Sequence, residues 1–220
     1  MRAVKILGLR ERKKRRTREA ITDAAIRLFI EHGFDRVSVS DVAAAADVSK
    51  VTVFNYFPTK EDLVLAGIAD QTEQAARTVS NRGAQESPLQ ALRHDYLQRL
   101  AAHDPSTGLC DEPHFVAVQR MILSTPTLTL RVTHHLMRSE ASLSTALSEY
   151  LGQACDSLAA RVAASQLLAV ERALVSRNLK RILAGSELDQ LYIEAVSEAE
   201  FGFAVIEGGL AKAGFGSADG

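Results

Sequence analysis

The sequence predicts an all-α fold of about nine helices. Three observations predict it. No segment of the 220 residues alternates apolar and polar side chains for long enough to make a strand. Apolar residues instead recur three and four apart, the spacing of one helix face. Ser38 stands three residues before Asp41, and Thr59 three before Asp62, the signature of a capped helix start. A hydrophobic share of 46% and a charged share of 24% are those of a globular chain with room for a core.

Residues 1–16 read as a loose basic arm, because seven of the nine residues from Arg10 to Arg18 are Arg or Lys. A first helix runs from about Thr17 to His32. Its apolar stripe is Ile21, Ala24, Ala25, Leu28 and Phe29, and Gly33 is its stop. Ser38, Ser49 and Thr59 open the next three helices. The composition changes after about Asn81. Ser87-Pro88 opens a helix reaching about Ala102, and His103 to Gly108 is a loop. Another helix covers roughly Glu112 to Ser124. Pro126 starts a long one ending near Gly152. The next spans Asp156 to Ala184 and is stopped by Gly185. Ser186 caps the last, which fades at Gly208-Gly209. The domains expected are an arm (1–16), a three-helix unit (17–62), a helical body (63–212) and a flexible tail (213–220).

The net charge of −1 hides an asymmetry. Residues 1–60 carry 13 Lys and Arg against 7 Asp and Glu, whereas residues 61–220 carry 13 against 20. The basic end attracts a polyanion and the acidic remainder is repelled by it. Within the basic end, Val42, Ala43, Val48 and Val53 are small and apolar, so the second and third helices can cross closely, and Phe57 is placed to plug the unit against the first. A helix-turn-helix of this kind sets its second helix in the major groove. Lys50, Thr52, Asn55 and Tyr56 remain for DNA. Asn donates and accepts at an adenine edge, Thr and Tyr bond phosphate, and Val51 meets a thymine methyl. Lys60 joins a helix N-terminus in gripping a phosphate. Arg15, Arg16, Ser38, Ser40 and Ser49 complete the expected DNA-contacting set.

From Thr17 to Val64, the segments TREAITDAAIRLFIEHGF and VSVSDVAAAADVSKVTVFNYFPTKEDLV resemble the DNA-binding domain of the tetracycline-repressor (TetR) family. The shared elements are the alanine-rich first helix with its Leu-Phe pair, the Gly33-Phe34 exit, the VSK start and the FNYFPTKE ending. Two positions depart from the family pattern. Asp47 stands where Gly is usual, and Phe54 where Tyr is usual. The resemblance implies that Thr52, Asn55, Tyr56 and Lys60 contact DNA. It also implies that the last two helices pair with those of a second copy, and that the middle helices enclose a small hydrophobic or amphipathic effector.

The last helix carries Leu188, Tyr192, Ala195, Ala199, Phe203, Ile206 and Leu210, spaced 4, 3, 4, 4, 3, 4, one continuous apolar face. The helix before it has two apolar faces. Leu168, Val175, Leu179 and Ile182 form one; Leu167, Val170 and Leu174 form the other. The expected homodimer interface is therefore Leu168, Val175, Leu179, Ile182, Leu188, Tyr192, Phe203 and Ile206. Such a dimer spaces two reading heads by ~34–36 Å and favours a palindromic operator. For the effector pocket the candidates are Tyr96, Gln119, His135 and Ser139, polar residues on or beside apolar faces.

Catalysis has little to build on. His94, His103, His114, His134 and His135 lack HExxH or carboxylate-paired spacing, and adjacent His134 and His135 diverge on a helix. Cys110 and Cys155 make neither a disulfide framework nor a metal cluster. No catalytic residue, metal or cofactor is expected. MRAVKILGL is too short in apolar residues for a signal peptide, and no run reaches the ~18 of a membrane span. The expectation is a cytoplasmic, bacterial, ligand-responsive DNA-binding regulator, most simply a repressor. The competing expectation is a ligand-independent architectural or activating DNA-binding protein.

Overall fold

The computed structural model describes residues 8–153 and 157–212. Cys155, Asp156 and the tail from residue 213 lie outside the described residues. Among the described residues the architecture is wholly helical. Its elements are α1 (Leu9–His32), α2 (Val39–Ala45), α3 (Lys50–Tyr56), α4 (Lys60–Val64), α5 (Ala66–Gln71), α6 (Gln74–Ser80), α7 (Pro88–Ala101), α8 (Pro113–Ser124), α9 (Pro126–Tyr150), α10 (Leu158–Leu183) and α11 (Leu188–Lys212). A 3-10 turn at Pro105–Thr107 follows α7.

The first three helices form the head. Ile21, Ala25, Ile26 and Phe29 of α1 bury against Val42 and Ala43 of α2 and Val53 of α3. Phe57 ends α3 only 3% exposed, and the Arg18 guanidinium of α1 lies over its ring at 5.2 Å. The plug expected at this position is in place. At the start of α2, Ser38 Oγ accepts from the Asp41 backbone N–H at 3.2 Å, and the Asp41 carboxylate accepts from the Ser38 N–H at 2.8 Å. Two orphan donors are thereby satisfied. Ser38→Ala is expected to cost about 1 kcal/mol, read as a lowered denaturation midpoint for the head. Between α2 and α3, Asp47 adopts φ 52°, the left-handed conformation that favours Gly and that Asp tolerates better than most. The departure from Gly leaves the turn intact.

Two expectations about the first eighty residues are corrected. The arm is not loose where described: α1 begins at Leu9, so Arg10 to Arg16 are helical and fully solvent-facing. Arg, Lys and Glu are good helix formers, and here they extend the helix while remaining exposed. The helix expected from Thr59 is three short ones, broken at Leu65 (φ −94°, ψ 13°) and at Thr72-Glu73.

The body is α6, α7, α9, α10 and α11 around one core that includes Val79, Leu92, Tyr96, Leu100, Leu143, Leu147, Ala164, Leu167 and Phe203. The 3-10 turn docks on α10, where Asn178 Nδ2 donates to Thr107 O at 2.9 Å. Its closing residue, Gly108, has φ 73°. Head and body share packing. Ile122 near the end of α8 and Leu128 at the start of α9 belong to the same apolar cluster as Ile21, Phe29 and Leu63. The last helix does not fade at Gly208-Gly209 but continues to Lys212, and it begins at Leu188, where Leu191 N–H bonds Glu187 O. Ser186 is therefore one residue too early to be its cap.

Candidate nucleic-acid interface

The α3 helix is short, and its two sides are sharply divided. Val53 is fully buried, whereas Lys50, Val51, Phe54 and Asn55 face solvent. Val51 is 70% exposed and Phe54 43%. Two large apolar side chains in water on one helix face are an unusual arrangement unless another surface meets them. The helix start is fixed by Ser49, whose Oγ accepts from Thr52 N–H at 3.0 Å and lies 2.8 Å from Thr52 Oγ1. Thr52 and Tyr56 are half-buried, and Tyr56 packs on the head core. Ser40 is exposed on α2, and Ser38 is exposed but commits its hydroxyl to the Asp41 carboxylate at 2.7 Å.

Phe54 is the residue that sequence reasoning missed. In the sequence it stands out only as a departure from the family's usual Tyr, yet it follows Lys50 by four and Val51 by three, and so shares their face. The Lys50 ammonium stands 6.0 Å from its ring. Lys60 is drawn inward, with Nζ 4.4 Å from the Phe34 ring, 5.6 Å from that of Phe29 and 3.5 Å from Asp35 O. Arg15 and Arg16 lie on the exposed extension of α1, and Arg15 pairs with Glu19 at 3.5 Å. A helix about 10–12 Å across does not enter a minor groove about 6 Å wide. The extension can lie along phosphates instead.

Directly behind this surface, the start of α4 is tied to the body. Arg131 of α9 donates from Nη2 to both Asp62 oxygens, at 2.8 and 3.1 Å, and from Nε to Oδ1 at 3.3 Å. The same carboxylate caps α4 by accepting the Thr59 N–H at 3.0 Å. Burial pushes the Asp62 carboxyl upward. Hydrogen bonds from Arg131 and Thr59 and the Arg131 charge outweigh it, so its pKa is lowered and the carboxylate stays charged.

The four candidate pocket residues lie on three helices: Tyr96 on α7, Gln119 on α8, and His135 and Ser139 on α9. Tyr96 is fully buried beside Phe203, ring centroids 6.0 Å apart. Burial and the nearby Glu171 carboxylate raise its pKa. His135 is buried against the joint between α5 and α6, its Nδ1 3.3 Å from Thr72 Oγ1. Burial and neighbouring Arg138 lower its pKa, so the ring is held neutral. Gln119 on α8 and Ser139 on α9 are half-buried. A cleft of about 310 Å³ between α6 and α9 is lined by Glu73, Arg77, Asn81, Ser142 and Thr145 among others, and by none of the four.

Two of the expected dimer residues lie within the chain's own core. Phe203 is 1% and Ile182 5% exposed within a single chain, so both belong to its own core. Leu168, Val175, Leu188, Tyr192 and Ile206 pack on that same core, and Leu179 is half-buried. The apolar side chains that α10 and α11 leave in water are others: Leu158, Val162, Ile193, Phe201 and Val205, from 48% to 76% exposed.

A compact three-helix head that buries one side of α3 and offers the other to solvent is a helix-turn-helix, the arrangement whose second helix enters the major groove in DNA-binding proteins. Residues 21–66 match the family described as bacterial regulatory proteins, tetR family. Over those residues the chain is similar to the tetR family of bacterial regulatory proteins. TcmR of Streptomyces glaucescens, an HTH-type transcriptional regulator, is 33% identical over 134 residues, covering 60% of this chain and 58% of TcmR. The chain thus spans just under three fifths of that relative's length. Among solved structures, SmeT in complex with triclosan is 20% identical, with TM-score 0.55, over 86% of this chain and 90% of SmeT. NalD of Pseudomonas aeruginosa, the secondary repressor of a multidrug efflux pump, is 19% identical, with TM-score 0.53, over 86% and 97%. At these identities the two structures share the fold.

Proposed function

We propose that the chain is a dimeric repressor that binds a palindromic operator and is released by a small hydrophobic or amphipathic molecule. The exposed face of α3, Lys50, Val51, Phe54 and Asn55, is the observation that carries the reading. Asn55 reads a base edge, Val51 and Phe54 meet thymine methyls or sugar, and Lys50 and Thr52 meet phosphate. The α1 extension adds sequence-independent phosphate contacts from Arg10 to Arg16. The partner is a second copy seated on Leu158, Val162, Ile193, Phe201 and Val205, an isologous apolar surface. Helices of the described residues are not long and apolar enough to cross a membrane, and the setting proposed is the cytoplasm, beside the operator.

The ligand reading draws support from two buried hydroxyls of the body that have no hydrogen-bond partner among the described residues, Ser144 Oγ and Ser148 Oγ. Each such buried group costs about 1–3 kcal/mol, which a ligand with polar atoms would relieve. A ligand that favours a head spacing unsuited to DNA needs a differential affinity of only ~1–3 kcal/mol to weaken operator binding 5- to 150-fold.

Fluorescence anisotropy with the upstream intergenic duplex, a scrambled duplex and a compound library tests the reading. The expected result is sequence-preferring binding, released by one compound class. Replacing Arg12, Lys13, Arg15 and Arg16 by Gln should flatten the log–log salt dependence by up to about 0.9 per lost phosphate contact and weaken both duplexes alike. Equal binding to both duplexes, unmoved by any compound, would favour an architectural DNA-binding protein.

A further inference from the structure

A reading head must be aimed as well as shaped, because a two-fold pair of heads meets successive major grooves only at one tilt. Continuity of the chain does not supply the aim here. The segment that leaves the head is broken twice, at Leu65 and at Thr72-Glu73, so α4 is five residues long and has no helical continuation into the body. Among the described residues, other contacts cross the boundary. Ile122 and Leu128 enter the head core from the α8–α9 corner. Arg18 of α1 forks onto Asp70 of α5 at 2.9 and 3.0 Å. Arg131 of α9 forks onto Asp62 of α4.

These contacts are not equivalent. The apolar corner is non-directional and permits rotation. The Arg18–Asp70 pair joins α1 to α5, a short segment whose Ala66 and Ile68 themselves pack in the head cluster, so it ties the head largely to itself. Among the described residues, the Arg131–Asp62 pair alone joins the head directly to a long helix of the body through a planar, bidentate geometry. Asp62 is also the residue whose carboxylate closes the cap of α4, and Nη2 of Arg131 reaches Thr59 Oγ1 at 3.4 Å. The guanidinium therefore grips the cap itself. The cap begins two residues after Phe57, the plug of α3. One turn further along α9, His135 touches Thr72 at the second break.

We propose that Arg131 is the positioning residue that aims the reading head, holding the α4 cap to α9 so that a displacement of α9 is passed to α3. The inference rests on the reading of the chain as an operator-binding regulator. It adds the side chain through which body and head are coupled. An effector that shifts or rotates α9 moves Asp62, and with it the orientation of α3, without unfolding either core. The apolar corner then serves as the pivot.

The test is an intrachain spin-label distance in the full-length protein, with Cys110→Ala and Cys155→Ala and labels at Asp23→Cys on α1 and Glu149→Cys on α9, both exposed positions. Labelled chain is diluted into excess unlabelled chain. The parent protein should give one narrow distance distribution. Arg131→Gln should broaden it and weaken operator binding about 3- to 30-fold, while binding to scrambled duplex and amide-exchange protection of α1–α3 stay unchanged. Arg131→Lys, which keeps the charge, should restore most of the narrow distribution. An unchanged distribution in Arg131→Gln overturns the proposal. So does an Arg131→Lys variant as broad as Arg131→Gln, because the effect would then lie in packing. A parent protein that cannot tell operator from scrambled duplex would sink the operator reading and leave the distance result standing.

Discussion

Phe57→Ala unfolds the reading head and leaves most of the body standing. Phe57 is 3% exposed at the C-terminal end of α3, within the cluster of Ile21, Phe29, Val42, Val53 and Leu63. Truncating a buried Phe costs about 3–5 kcal/mol. A head of this size has little to spare, since whole domains are stable by only about 5–15 kcal/mol. The loss is compounded on one side, because the Arg18 guanidinium over the Phe57 ring loses its platform. Hydrogen–deuterium exchange should show protection collapsing in α1 to α4 and at the α8–α9 corner, where Ile122 and Leu128 lose their cover. The central turns of α10 should keep theirs. Operator binding should vanish with the head. Retained protection across α1 would mean that Phe57 is a surface lid and not the plug.

Gly108→Ala is expected to carry the next largest effect, on the body. The backbone at Gly108 has φ 73°, where a side chain is strained. A Cβ there would also stand 2.5 Å from Val175 O and 3.1 Å from Leu179 N, both backbone atoms of α10. Neither can rotate away, so the 3-10 turn must lift from α10. Lifting it breaks the Asn178 to Thr107 bond and pulls Ser106 from the Arg99 guanidinium, with which it bonds at 3.0 Å. Backbone strain and overpacking together should cost roughly 2–4 kcal/mol, seen as a lowered urea midpoint with the head's DNA face intact in the folded fraction. An Ala variant as stable as the parent would show that the corner is free to move.

Much of the fold was legible because helix signals are local. Ser38–Asp41 and Thr59–Asp62 announced helix starts, and both are complete capping boxes. Ser87-Pro88 opened α7, with Pro at its first position. Val42, Val53 and Phe57 were recognisable as head core by size and spacing. The α1 extension was misread because its charge was weighed above its helix propensity. In α11 the spacing from Leu188 to Ile206 identified a buried face and could not say what buries it. Leu191, Ala195, Ala199 and Phe203 turn to the chain's own core, and the residues left outside, Ile193, Phe201 and Val205, fall between them. The ion pairs were illegible for a different reason. Arg131 lies 69 residues from Asp62, and Arg18 lies 52 from Asp70, so no local pattern joins them. Tyr96 and His135 were found by the rule that polar residues on apolar faces matter. That rule says nothing about whether they face one another.

The shared cluster at the α8–α9 corner also bears on how such a regulator can be rebuilt. With Ile122 and Leu128 packed among head residues, the DNA-reading unit is not an exchangeable cartridge. A chimera that transplants only residues 21–66 would set a foreign surface against these two side chains, leaving either a void or a clash at the graft. Grafts that exchange Ile122 and Leu128 along with the head keep this corner filled, and are the ones that should fold with the stability of the parent.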